Sequence, residues 1–475
     1  MQRSSKNAPH LCRVAFPCLA ALLSLAALAV VPCTALAAQG EATRYREVAL
    51  VPADRILVLA PHPDDETIGC AGVIQKAVAA RLPLEVVYFT NGDANEWSFL
   101  RYRKHPVFFR SAAVAMGRVR QREAVAAASI LGVPSDRLVF LGYPDYGTAR
   151  IWLSHWNGAR PYESILTRTR AVPYINAFHF GAQYKGEEIV ADLTSLIRGF
   201  RPTKIFVSHP ADKNGDHRAL YLFARLALWN LEKEIRPEVY AYLVHYGRWP
   251  KAKGYHPDEP LSPPEALAGR ARWQREPLSP GEENAKKLAL AAHRSQYGYS
   301  ASFLLSFVRT DELFSDVDEV RLPGLTGSAA LSEDDGPESA DEPDQLTAEE
   351  REAFVGLERH SAALEDGRLV LTVGLSRPLA RGAGASVYLF GWRPDRPFGD
   401  MPKLHLKAAA SSYAVYDQDT RLPADTFDVK MESREIRIAV PLAALGEPTK
   451  VLTNAMTYLG EVPLDSGSWT ALDLE

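Results

Sequence analysis

Cysteine is nearly absent from the working part of this chain: of four, Cys12, Cys18 and Cys33 fall before residue 37, and only Cys70 lies beyond. A lone cysteine makes no internal disulfide, so the fold must rest on its hydrophobic core even in an oxidising compartment. Acidic residues are missing from the first 40 positions, Glu41 being the first. An excess of positive charge is missing from the rest. The formal net charge is -4, and it is more negative once the basic N-terminus is set aside, which argues against nucleic acid as a partner. There are no internal repeats.

What the N-terminus does have is Arg3, Lys6 and Arg13, an apolar run from Val14 to Val31, and the small-residue site Ala35-Leu36-Ala37. This is the pattern of an export signal over residues 1–37. A retained membrane anchor is the alternative, since the run nearly spans a bilayer. The expectation is export to the periplasm or the extracellular space, with no stable membrane span after cleavage. The remaining chain is long enough for two folded units, and the full sequence, 47% hydrophobic with 24% charged residues, has a globular composition.

From Arg55 to about Phe307, apolar runs alternate with helical stretches. Arg55–Ala60, Leu84–Thr90, Arg137–Leu141, Lys204–Ser208 and Glu238–His245 read as strands, the first a continuous apolar run typical of a buried parallel strand. Thr67–Ala80, Gln121–Leu131, Glu187–Phe200 and Arg218–Leu231 read as helices, with Gly69, Ala71 and Gly72 allowing close packing of the first. The fold class that follows is α/β: a Rossmann-like, mostly parallel sheet with helices on both faces, over residues 45–322. Two stretches, Glu96–Gly117 and Arg150–Lys185, interrupt the rhythm with aromatics such as Trp97, Phe108, Trp152, Trp156, Tyr162 and Phe178. They either shape a cleft or pack the insertions down.

Residues 323–350 hold an acidic, Pro- and Gly-containing segment that reads as a flexible linker. Beyond it, 351–475 has the texture of a β-sandwich: Arg368–Val373, Ser386–Phe390, Ile436–Val440 and Val451–Tyr458 are short β-rich runs separated by turn residues.

Chemistry concentrates at two strand ends. Pro61-His-Pro-Asp-Asp-Glu66 follows the first strand, where open parallel sheets bind ligands. Three adjacent acids there repel one another unless a cation or hydrogen-bond donors compensate, although they also suit the N-terminus of the following helix. His209-Pro-Ala-Asp-Lys-Asn-Gly-Asp-His217 follows the fourth strand. Two such clusters on one sheet edge can converge, and two His with one Asp and an open fourth position make a hydrolytic zinc site. Iron or manganese suits the same donors.

These residues resemble the PIG-L/LmbE-type de-N-acetylases. The Pro61–Glu66 motif is the most specific match, supported by Thr90-Asn-Gly-Asp93, Arg120-Gln-Arg-Glu123, Leu131-Gly132, Tyr143-Pro-Asp145 and His293-Arg-Ser-Gln296. The resemblance implies one Zn2+ held by His62, Asp65 and His217, with Asp64 as general base. It also implies that Arg120 and Asp145 grip sugar hydroxyls; a structural ion pair is the competing role. Family members commonly carry a second histidine three positions before the third ligand, where this chain has Asn214. Either Asn214 or His209 is left to support the oxyanion. Glu66 reads as a helix cap or a support for a ligand, His293 as a packed or surface residue and Cys70 as a buried thiol.

The function implied is an exported deacetylase acting on an N-acetylglucosamine-type sugar in a glycan, glycolipid or glycoconjugate. An amidohydrolase acting on a non-sugar amide and a non-catalytic carbohydrate-binding protein are the alternatives. The run Ile436–Gly446 faintly resembles CBM9/DOMON-like sandwiches, so the C-terminal module is a candidate for binding glycan or a surface partner. Trp392, Tyr413, Tyr416 and Trp469 would stack on sugar rings or fill the core.

Overall fold

The apolar run at Arg55–Ala60 becomes the central strand β1 (Ile56–Ala60), with every residue buried. The computed structural model in which it is seen describes residues 45–94, 109–322, 328–333, 346–460 and 462–475. The expected export signal, Trp97, Phe108 and most of the acidic interval lie outside the described residues.

After β1 come α1 (Asp65–Ala79), β2 (Leu84–Thr90), α2 (Arg110–Ile130), β3 (Leu138–Tyr143) and α3 (Thr148–Ser154). They are followed by α4 (Gly186–Phe200), β4 (Lys204–Ser208), α5 (Gly215–Asn230), β5 (Glu238–Tyr242), β6 (Trp273–Pro277), α6 (Pro280–Ala292), α7 (Arg294–Leu305) and β7 (Asp311–Ser315). The strands lie in the order β6-β7-β5-β4-β1-β2-β3, and only β7 opposes the others. Ile56 pairs with Leu84 of β2 on one side and Lys204 of β4 on the other. The chain therefore leaves β1 and β4 toward opposite wings of the sheet, and the crevice between their carboxyl ends is the topological switch point.

Helix α1 packs tightly because Gly69 has no side chain: a Cβ there would lie 2.4 Å from the Tyr242 ring. Helix α2 starts at Arg110, well before the expected Gln121. Gly117 sits inside it with the Tyr174 hydroxyl packed where a side chain would go, so a glycine that reads as a breaker is a contact point.

The C-terminal region is a pair of mostly antiparallel sheets. One contains β8 (Leu357–Glu365), β9 (Arg368–Leu375), β13 (Asp428–Met431) and β14 (Glu435–Pro441); the other contains β10 (Ala383–Trp392), β11 (Lys403–Ala409), β12 (Ser412–Asp417), β15 (Lys450–Leu459) and β17 (Thr470–Asp473), with β16 (Val462–Ser466) paired to β15. Leu369, Leu371 and Val373 face Val387, Leu389 and Leu406 in a shared core. The interval read as linker is not wholly irregular. Ser328–Glu333 pairs antiparallel with β8, and Thr347 and Glu350 form a capping box on the short helix Ala348–Glu352.

Glu47–Glu475 forms one compact unit. Its two parts share an aromatic cluster: Trp152 of α3 lies 5.5 Å from Phe398 and 6.1 Å from Trp469, and Trp156 lies 4.8 Å from Phe398, ring centre to ring centre. Trp392 donates from Nε1 to Asn230 Oδ1 at 3.2 Å. Trp392 and Trp469 are both buried, so of their two sequence readings it is packing that describes them. Among the described residues no helix is long and apolar enough to cross a membrane.

Candidate metal centre

The segment after β1 turns sharply into α1. Asp64 takes φ 137, a backbone conformation that non-glycine residues rarely adopt, and the Glu66 carboxylate holds its amide at 3.0 Å. The turn aims His62 and Asp65 at α5, whose first turn carries His217. His62 Nδ1 lies 3.2 Å from Asp65 Oδ2 and 3.2 Å from His217 Nε2, and the latter lies 3.1 Å from Asp65 Oδ2. Ligand atoms bound at about 2.0–2.2 Å to one tetrahedral ion sit about 3.3–3.6 Å apart. Two imidazole nitrogens and a carboxylate oxygen converging this closely out of water fit a divalent cation, and these residues are a group that could hold one.

The surrounding groups favour positive charge. Asp64, Asp65, Asp145, Asp212 and Asp216 are all buried here, and among the described residues it is the guanidinium of Arg120 that opposes them. Burial opposes charge on His217, but Asp212 and Asp65 outweigh it and raise its pKa to about 9. Burial likewise works to raise Asp65, yet His217 and His62 hold it well below the usual carboxylate range.

Both imidazoles are oriented from behind. His217 Nδ1 lies 3.1 Å from Asp212 Oδ2, which also accepts from the amides of Val244 and His245 at 3.0 Å each. On its far side, His62 Nε2 faces Asp145 Oδ1 at 3.2 Å and Asp216 Oδ2 at 3.3 Å. Asp216 is fixed in turn by the amides of Tyr146 at 2.6 Å and Thr148 at 3.1 Å. Such outer hydrogen bonds set the tautomer and raise the basicity of a ligating histidine.

Asp64 points into the same crevice. Burial pushes its carboxyl up to about 7, with Arg120 opposing that rise. Arg120 Nη2 lies 3.4 Å from Asp64 Oδ1 and donates to the Pro63 carbonyl at 2.8 Å. Asp145 accepts the amide of Ala94 at 3.0 Å. Arg120 and Asp145 both make internal hydrogen bonds and both line the cleft. Glu66 bonds Thr67 and stands 3.2 Å from His293 Nε2, which makes His293 a buried prop beneath the motif.

The cleft has a volume of about 740 Å3, with His62, Asp64, Asp65, Asn214 and His245 along its wall. His209 is a correction. It is buried with its ring stacked 5.7 Å from Trp273 and Nδ1 accepting the Ala211 amide, and it lines a separate pocket, not this cleft. Asn214 does reach the cleft, as the N-cap of α5, its Oδ1 accepting the Asp216 amide at 2.8 Å. Sequence reading missed His245, whose ring stands 4.9 Å from that of His217, and the aromatic wall of Tyr146 and Tyr299. It also missed Asp212, for which a carboxylate in the same post-strand loop as His217 was the available signal.

Residues 57–228 match the family model described as PIG-L, GlcNAc-PI de-N-acetylase. The PIG-L match runs from β1 into α5 and contains all three candidate ligands. Beyond it, a glucosamine-6-phosphate deaminase-like protein of Bacteroides thetaiotaomicron is 24% identical over 292 residues, covering 53% of this chain and 37% of that protein. The chain thus spans little more than a third of this curated relative. Similar solved structures include the N,N'-diacetylchitobiose deacetylase of Pyrococcus horikoshii (18% identity, 55% of this chain and 82% of that one, TM-score 0.34). Another is the 4-carboxy-2-hydroxymuconate hydratase GalB of Pseudomonas putida (16%, 57% and 100%, TM-score 0.34).

Proposed function

We propose that this protein is an exported, zinc-dependent de-N-acetylase that hydrolyses the acetamide of an N-acetylglucosamine-type sugar. The observation that carries the reading is the triangle of His62 Nδ1, Asp65 Oδ2 and His217 Nε2, each side 3.1–3.2 Å, beside a buried, non-ligating Asp64. The PIG-L match over the same residues supports the reaction class.

His62, Asp65 and His217 would hold a divalent cation, which would supply Lewis-acid polarisation of the amide carbonyl and acidify water. Asp64 accepts a proton from the attacking water and returns it to the amide nitrogen, so the C–N bond breaks to give acetate and a free amine. Arg120 fixes the orientation of Asp64. Asn214, which lines the cleft, supplies a side-chain amide donor for the developing oxyanion. Tyr146, Tyr162 and Tyr299 give the cleft aromatic faces of the kind that pack on sugar rings, interleaved with polar groups.

The test is metal analysis of the purified protein together with amine release from N-acetylglucosamine oligomers. About one zinc per chain and release that is lost on chelation are expected. A protein with neither bound metal nor amine release refutes the reading.

A further inference from the structure

The sandwich has no part in the chemistry above, yet it grips the loop that presents His217. Ser466, the last residue of β16, accepts two hydrogen bonds, one from that loop and one from the first turn of α5 that follows it. Lys213 Nζ donates to its carbonyl at 3.0 Å, and Arg218 Nη1 donates to its Oγ. These two donors flank His217 in sequence. Arg218 closes the arrangement by donating from Nη2 to the Lys213 carbonyl at 2.9 Å, while the Lys213 amide donates to the His245 carbonyl at 2.8 Å. Asp212, which orients the His217 ring, is the neighbour of Lys213 in the same loop.

The gripping side is stiff. Ser466 is in register opposite Met456, its amide donates to Asp465 Oδ1 at 2.8 Å, and Asp465 Oδ2 accepts the Leu357 amide at 2.8 Å from the facing sheet. Gly467 donates to the Ala455 carbonyl at 3.0 Å. A strand end tied at this many points transmits position, and a loop fixed in advance loses less entropy when its ligand binds.

We propose that the C-terminal sandwich is a positioning element of the metal centre, with Ser466 holding the 212–217 loop through Lys213 and Arg218. The proposal rests on the reading of His62, Asp65 and His217 as metal ligands. Ser466, Lys213 and Arg218 are positioning residues that touch neither the ion nor the substrate.

The experiment is Co2+ titration of the full-length chain, read by visible absorption against a competing chelator, with kcat, KM and melting curves of the same samples. Arg218→Leu is expected to weaken Co2+ binding about tenfold, the low end of what losing a ligand-orienting group costs. Ser466→Ala, which removes one acceptor oxygen, shifts binding in the same direction and decides the matter if Arg218→Leu fails to fold. Arg218→Lys restores part of the affinity, kcat falls more than KM rises, and the metal-free protein still melts cooperatively. Wild-type affinity and spectrum in both Arg218→Leu and Ser466→Ala overturn the proposal while leaving the metal reading intact. A wild-type chain that takes up no Co2+, or a His217→Ala variant that binds it equally well, overturns both.

Discussion

His360 gives the sandwich a built-in sensitivity to acid. It lies in β8, 1% exposed, and among the described residues neither ring nitrogen has a hydrogen-bond partner. Burial alone lowers its pKa from 6.5 to about 4. The unfolded chain therefore takes up a proton at this residue as pH falls through 6.5, while the folded chain does not until about pH 4. Over that window the unfolded state binds more protons, so stability falls as pH falls, and it is fully present only above 6.5. At about 1.4 kcal/mol per pH unit, a gap of 2.5 units amounts to about 3 kcal/mol by pH 4. The perturbation is His360→Leu, which keeps an apolar side chain of similar bulk and removes the titration. The assay is urea denaturation of both proteins at pH 7.5 and pH 4.5, taking the difference of differences so that other groups cancel. The variant should gain about 2–3 kcal/mol on wild type between the two pH values. Parallel pH profiles for the two proteins refute the reasoning, as does a His360 ring that titrates near 6.5 by NMR.

At the metal centre, Asp64→Asn should keep the bound metal and lower kcat by about two to four powers of ten, measured as amine release alongside metal content. His217→Ala should instead lose the metal, seen as a fall in zinc per chain by elemental analysis. Asp212→Asn, which weakens the hold on the His217 ring, should cost about 10- to 100-fold in zinc affinity, read by chelator competition. In the aromatic cluster, Trp152→Ala should destabilise the protein by about 3–5 kcal/mol in thermal or urea unfolding, because a fully buried ring between the two parts leaves a cavity.

The strands of the α/β part were legible because burial on both faces demands unbroken apolar runs, and Lys204–Ser208 and Leu84–Thr90 lie where those runs lie. The start of α2 was not legible, since Arg110–Gly117 contains a glycine whose use is visible only once Tyr174 is folded against it. His62 and Asp65 stood out because they sit within a few residues of the end of β1, and His217 because it follows β4 at the start of the next helix. What supports them did not, because their supports are mostly tertiary. The amides of Tyr146 and Thr148 carry no side-chain signature, and His245 reaches the His217 ring only because β5 lies parallel beside β4, whereas Asp212 is a local partner in the same loop as His217. His209 shows the converse: a histidine in the right loop whose ring is claimed by Trp273.

The sandwich is stitched to the α/β part where the chain first departs from it. Leu472, near the end of the sequence, pairs in parallel with Val320, just after β7. Cutting the chain at the acidic interval would therefore strip a hydrogen-bonding partner from Val320–Arg321 and uncover the faces of Trp152 and Trp156. A bare strand edge beside exposed indole rings invites self-association. Expression of the α/β half alone would then be a test of solubility before it was ever a test of activity.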